Sequence, residues 1–210
     1  MTEQPPRGKA EPGPSALASG RPLALVGMMG AGKSEVGRLL AARLGRPFVD
    51  SDDAIAAAAS AASVRELFAR EGEAAFRARE RRFIAELPSH AGHVLALGGG
   101  MFVGAENVRA IHEASWTAWL RARPETLLAR LSAADRAARP LLSGVEAGPD
   151  AAPDAESAAL ARLAGLLAER APWYAQAHTT IDTDGLAPPA VAALVLAALD
   201  SSARESPPCA

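Results

Sequence analysis

The segment Gly27-Met28-Met29-Gly30-Ala31-Gly32-Lys33-Ser34 satisfies the pattern G-x-x-x-x-G-K-[ST], directly after an apolar run and ahead of helical periodicity. Glycines at this spacing let backbone N–H groups turn inward around phosphate oxygens, and the following helix N-terminus adds positive potential. In such a loop Lys33 reaches the β- and γ-phosphates, and the Ser34 hydroxyl ligates Mg2+. Gly27, Gly30, Ala31, Gly32, Lys33 and Ser34 are therefore the expected ATP-binding stretch, with Glu35 next in line.

Asp50-Ser51-Asp52 closes a second short apolar run and is followed by Asp53. Strand alternation would put Asp50 and Asp52 on one side, roughly 7 Å apart if the extended chain continues that far. Two carboxylates so placed can split duties between Mg2+-bound water and a substrate hydroxyl. Asp53 would point away and cap the next helix. Arg77 and Glu80, three apart on one helical face, form a pair in which Glu80 orients Arg77 toward an anionic ligand. Their neighbours Arg79, Arg81 and Arg82 read as a solvated face. Gly98-Gly99-Gly100 ends a third apolar run and permits close approach of backbone to a ligand. Arg139, in Arg139-Pro140-Leu141-Leu142, precedes a long loop and could swing over a phosphate; Arg170 ends a later helix. His90, His93, His112 and His178 lack metal-ligand spacing and read as structural or solvated.

These residues need a scaffold that delivers them together. Strands are predicted at 23–26, 47–50, 93–97, 115–121 and 179–182, and helices at 33–44, 64–70, 73–87, 108–113, 124–131, 156–170 and 189–199. Strands alternating with helices imply an α/β protein: a three-layer P-loop NTPase-type fold with a five-stranded parallel sheet flanked by helices. Ligands on such sheets bind beyond the carboxyl ends of the strands, where most of the candidate residues fall. The loop composition of 143–154 suggests a mobile lid, about 132–157, carried on a domain spanning 21–200.

Composition bounds the rest. The chain has 210 residues, a net charge of −2 and a single cysteine, Cys209. This charge argues against a general nucleic-acid binder, and one cysteine excludes a disulfide framework or thiolate zinc cluster. No apolar run reaches the length of a membrane span, and residues 1–20 lack the apolar region of a secretory signal. A cytoplasmic location is expected, with disordered tails at 1–20 and 201–210. Only two of the 22 basic residues are lysines, Lys9 and Lys33, so Lys33 stands out against an arginine-rich background.

Taken together, the segments resemble the shikimate kinase family, from about Arg21 to Leu199. The P-loop, Asp50-Ser51-Asp52, Phe76-Arg77 with Glu80, Leu97-Gly98-Gly99-Gly100, Arg139-Pro140-Leu141-Leu142 and Arg170-Ala171-Pro172 fall in the family's order. The resemblance implies ATP- and Mg2+-dependent phosphorylation of the 3-hydroxyl of shikimate, in the route to aromatic amino acids, by a monomer. It implies that Asp52, Arg77, Arg170 and the triple glycine hold shikimate, with Asp52 as base or orienter of the hydroxyl. Asp50 would hold Mg2+ through water, and Arg139 would close over the phosphates. Two other readings remain: a gluconate-type small-molecule kinase and a non-catalytic P-loop relative. The chain departs from the family pattern at Glu35 (commonly Thr), at Ser60-Ala61-Ala62-Ser63, in the arginine-free adenine loop Asp184–Pro188, and in a long lid.

Overall fold

A computed structural model describes residues 20–131 and 153–205. Arg139, the greater part of the expected lid and residues 1–19 and 206–210 lie outside the described residues. Five parallel strands form one sheet in the order β2-β3-β1-β4-β5. They are β1 (Leu23–Val26), β2 (Phe48–Asp50), β3 (Val94–Ala96), β4 (Trp116–Arg121) and β5 (Thr179–Asp182). Central β1 pairs with β3 through Leu23↔Val94 and with β4 through Leu23↔Trp116. All four of its residues are buried, as a strand covered on both faces demands. The chain leaves β1 toward one edge, while β4 and β5 occupy the other side. The crevice beyond the carboxyl end of β1 is thus where a ligand would sit.

The helices covering the sheet are α1 (Lys33–Leu44), α2 (Ser51–Ala58), α3 (Val64–Ala85), α4 (Ala105–Ala114), α5 (Pro124–Arg130), α6 (Pro153–Tyr174) and α7 (Pro188–Glu205). Ser63 caps α3 by accepting from the Glu66 amide at 3.2 Å, while the Glu66 carboxylate accepts from the Ala62 amide at 2.7 Å. The predicted separation of 64–70 from 73–87 survives as a kink inside α3, at Gly72 (φ 79°, ψ 174°). Across it, Arg70 and Arg79 both reach the Glu71 carboxylate at 2.8 Å.

Three expectations are corrected. Strand β2 ends at Asp50 and α2 begins at Ser51, so Asp52 lies in the first turn of a helix. The cap is Asp50, not Asp53: its carboxylate accepts from the Asp52 amide at 3.1 Å, and this local bond turns the chain out of the strand. Asp53 is exposed. Finally, α7 continues through residues 201–205, expected as disordered tail. No glycine or proline interrupts the run there, and the Ser201 and Ser202 hydroxyls donate back to the Ala197 and Ala198 carbonyls at 3.0 Å.

At the amino end of the sheet, away from the P-loop, two histidines lock the α6–β5 connection. The His178 Nδ1 accepts from the Thr117 amide at 3.1 Å and meets the Thr117 hydroxyl at 2.7 Å, so it must be unprotonated. The His112 ring lies 4.4 Å away, and its Nε2 donates to the Gln176 carbonyl. Burial, then the neighbouring His112 and Arg21, push His178 down from 6.5 to about 3. A histidine kept neutral by folding stabilises fully above its unfolded pKa and loses that contribution as pH falls toward the folded value. Urea unfolding should therefore show stability declining below pH 6.5 toward about 3. His178→Asn should flatten that slope; an unchanged slope would assign the acid sensitivity elsewhere.

Candidate active site

The loop after β1 turns through Gly30 and Gly32, both with positive φ (77° and 86°), and delivers Lys33 to the first position of α1. The Lys33 ammonium donates to the carbonyls of Gly27 at 2.9 Å and Met28 at 3.0 Å, folded over its own loop. An incoming phosphate would replace these carbonyls as its partner. One residue on, the Ser34 hydroxyl donates to Asp50 Oδ2 at 2.5 Å. A hydroxyl and a carboxylate in contact, both hard oxygen donors, suit a small divalent cation that keeps much of its water. Gly27 itself packs beneath the loop, where a Cβ would meet the Leu120 carbonyl at 2.7 Å.

A second wall is built by the triple glycine. The Gly98 amide donates to the buried Ser51 hydroxyl at 2.8 Å, tying the end of β3 to the start of α2. A Cβ on Gly98 would stand 2.5 Å from Asp52 Oδ1, and one on Gly100 2.5 Å from Arg77 Nη1. Side chains are thus excluded where the backbone meets the carboxylate and the guanidinium. Arg77 donates to Glu80 at 2.7 Å and to Glu73 at 3.1 Å. Burial pushes the Glu80 carboxyl up, the Asp52 charge adds to this, and the Arg77 and Arg170 guanidinium groups oppose it. Glu80 therefore sits among Asp52, Arg77 and Arg170 and holds Arg77 in place, as their three-residue spacing predicts.

Both walls face one cleft of about 1210 Å3. Gly30 to Glu35, Asp50, Asp52, Arg77, Gly98, Gly99, Gly100 and Arg170 all line it. The volume exceeds that of an ordinary single-ligand pocket, so two small molecules can lie side by side. Leu186 and Pro188, from the loop expected at the adenine, also reach this cleft. Sequence reasoning missed several of its residues. Arg130 lines it while donating to the Thr183 hydroxyl at 2.9 Å and carbonyl at 2.6 Å. Phe68 and Phe76 also line it, with ring centroids 4.6 Å apart, and Phe76 is at the same time part of the hydrophobic core. Buried Ser51 and Tyr174 support the glycine loop from behind. Of these, only Ser51 carried a signal, as the middle residue of Asp50-Ser51-Asp52.

A phosphate-binding loop with its lysine, a hard-oxygen pair beside it and two arginines across the same cleft define a P-loop phosphotransferase for a small anionic acceptor. The family model "Shikimate kinase" matches residues 29–200. A shikimate kinase of Symbiobacterium thermophilum is 45% identical over 163 residues, covering 77% of this chain and 86% of that protein. The structure of the Acinetobacter baumannii shikimate kinase in complex with shikimate is similar at TM-score 0.73 and 36% identity, covering 86% of this chain and 93% of that one. The chain belongs to the shikimate kinase family. A gluconokinase from Sinorhizobium meliloti, at TM-score 0.52 and 14% identity over 88% of this chain and 94% of that one, shares the fold alone. The activity is ATP-dependent phosphorylation of shikimate at its 3-hydroxyl, a step of aromatic amino acid biosynthesis.

Proposed function

We propose a division of labour in which the P-loop wall holds ATP and the glycine-loop wall holds shikimate. What supports it is that Lys33 and Ser34 line the same cleft as Asp52, Arg77 and Arg170. Lys33 leaves the Gly27 and Met28 carbonyls and neutralises charge on the β- and γ-phosphates. Ser34 directly, and Asp50 through water, would hold Mg2+, which would screen the phosphate oxygens. Arg77, fixed by Glu80, and Arg170 grip the shikimate carboxylate, an arrangement suited to bidentate guanidinium–carboxylate pairing. The backbone of Gly98, Gly99 and Gly100 follows the ring, and Asp52 receives the reacting hydroxyl. Arg139 completes the set by closing over the phosphates, which excludes water and suppresses wasteful ATP hydrolysis. Gly30, Ala31, Gly32 and Glu35 surround the nucleotide.

We read the enzyme as a cytoplasmic monomer. A coupled assay of ADP release with shikimate, gluconate and nucleoside monophosphates tests the acceptor assignment. Turnover should require shikimate. Turnover on gluconate without turnover on shikimate would overturn the reading.

A further inference from the structure

Tyr174 is the chain's only tyrosine, and its side chain is fully buried. Its ring packs 5.8 Å from that of Trp119, a role phenylalanine would fill equally well. The hydroxyl is what sets it apart. It donates to the Gly99 carbonyl at 2.5 Å and lies 3.6 Å from the Met28 sulfur. Because α6 continues past Pro172, Tyr174 sits one turn below Arg170 on the same face, and the Arg170 guanidinium acts on the phenol electrostatically. A carbonyl only accepts, so the hydroxyl gives its proton to Gly99 and leaves its lone pairs to the Arg170 guanidinium. A Cβ placed on Gly99 would touch these same groups, with Arg170 Nη1 at 3.4 Å, the Gly27 carbonyl at 3.5 Å and the Tyr174 hydroxyl at 3.6 Å. One phenol thus joins a proposed carboxylate-gripping arginine, the middle glycine of the acceptor loop and the P-loop backbone.

We propose that Tyr174 is a positioning residue for the acceptor: its hydroxyl fixes Arg170 against Gly99 so that both meet shikimate in register. The inference rests on the reading that this wall holds shikimate. Without the hydroxyl, the part-buried Gly99 carbonyl loses its donor and Arg170 loses a polar neighbour, so both must find new arrangements before the substrate binds. Burial pushes the phenol up to about 12, with Arg170 opposing, so the hydroxyl keeps its proton to donate throughout the working pH range. Tyr174 touches neither substrate in this scheme and acts only through Arg170 and Gly99.

The test is Tyr174→Phe in the full-length enzyme, with steady-state constants for each substrate. The KM for shikimate should rise about tenfold, the scale of one hydrogen bond to a charged group, with kcat and the KM for ATP within about twofold. A purely structural role would instead lower the active fraction, reducing kcat and leaving both KM values unmoved. That result, or an unchanged KM for shikimate, overturns the proposal. The single tyrosine also allows a test that needs no variant. Biosynthetic 3-fluorotyrosine gives one 19F resonance, which should shift when shikimate is added to enzyme free of nucleotide. If Tyr174→Phe fails to fold, this measurement decides: a resonance that shikimate does not move overturns the proposal. Wild-type enzyme serves as the control for the underlying reading. If it releases no ADP in response to shikimate, the acceptor assignment fails and the inference falls with it. If wild type turns over and the Phe variant matches it, the inference alone is wrong.

Discussion

Lys33→Ala should abolish phosphoryl transfer, lowering kcat by at least ~10³-fold, while leaving the fold intact. Phosphoryl transfer asks for little covalent chemistry, so the cost of losing a positioned charge at the β- and γ-phosphates appears almost wholly in the rate. The hydrogen bonds the ammonium makes to the Gly27 and Met28 carbonyls are local to its own loop, so losing them does not separate elements of the fold. Helix α1 does not need it either: the helix starts at Gly32 in the left-handed conformation, with no side-chain cap. The thermal midpoint of the variant should therefore stay close to wild type, and single-turnover measurement should show the loss in the chemical step. Turnover like that of wild type would remove Lys33 from its assigned role. Lys33→Arg is a sharper probe. In a chain where 20 basic residues are arginine, an arginine here keeps the charge but replaces a compact ammonium with a wide planar fork. The loop is sized for the ammonium, since Nζ already spans two carbonyls at about 3 Å. Restored charge without restored rate would show that geometry as well as charge is required.

Much of this site was legible because its elements are strongly patterned. Strand β1 and helix α1 fall where Leu23–Val26 and the 3.6-residue apolar spacing after Lys33 put them, and β5 begins and ends as predicted. The turn at Asp50 was not legible in the same way. Period-two alternation cannot foresee that a carboxylate will bond the amide two residues ahead and start a helix. Asp50 and Asp52 still reach one cleft, but from a strand end and a helix first turn rather than from one strand face. Arg77 and Glu80 were readable because three-residue spacing on a helix forces proximity. Tyr174 was not, because nothing in its spacing marks what its buried polar tip touches. The end of α7 was missed for a simpler reason: serines and charges suggest a tail, whereas continuing a helix needs only the absence of a breaker and i−4 carbonyls for the hydroxyls to meet.

Asp52→Asn should lower kcat by about 10²- to 10⁴-fold, the range of a lost general base, with little change in the KM for ATP. The change preserves shape, which matters because Asp52 Oδ1 lies only 2.5 Å from where a Gly98 side chain would begin. A smaller residue would open that contact and mix two effects. Asp50→Asn should do the reverse, because the Ser34 hydroxyl bonds the Asp50 carboxylate and not Asp52. Its main defect should be a raised Mg2+ concentration for half-maximal rate, with shikimate affinity close to wild type. The crossed pattern is the critical result. If Asp52→Asn lost only nucleotide affinity, the two carboxylates would have to exchange roles. The pH profile then separates the two ways in which Asp52 could handle the hydroxyl. A base must be ionised to accept the proton, so kcat of the wild type should fall on the acid side as Asp52 protonates, and Asp52→Asn should lack that limb. An orienting group needs only an acceptor oxygen, which asparagine retains. In that case the limb would persist in the variant and the rate would drop far less than a hundredfold.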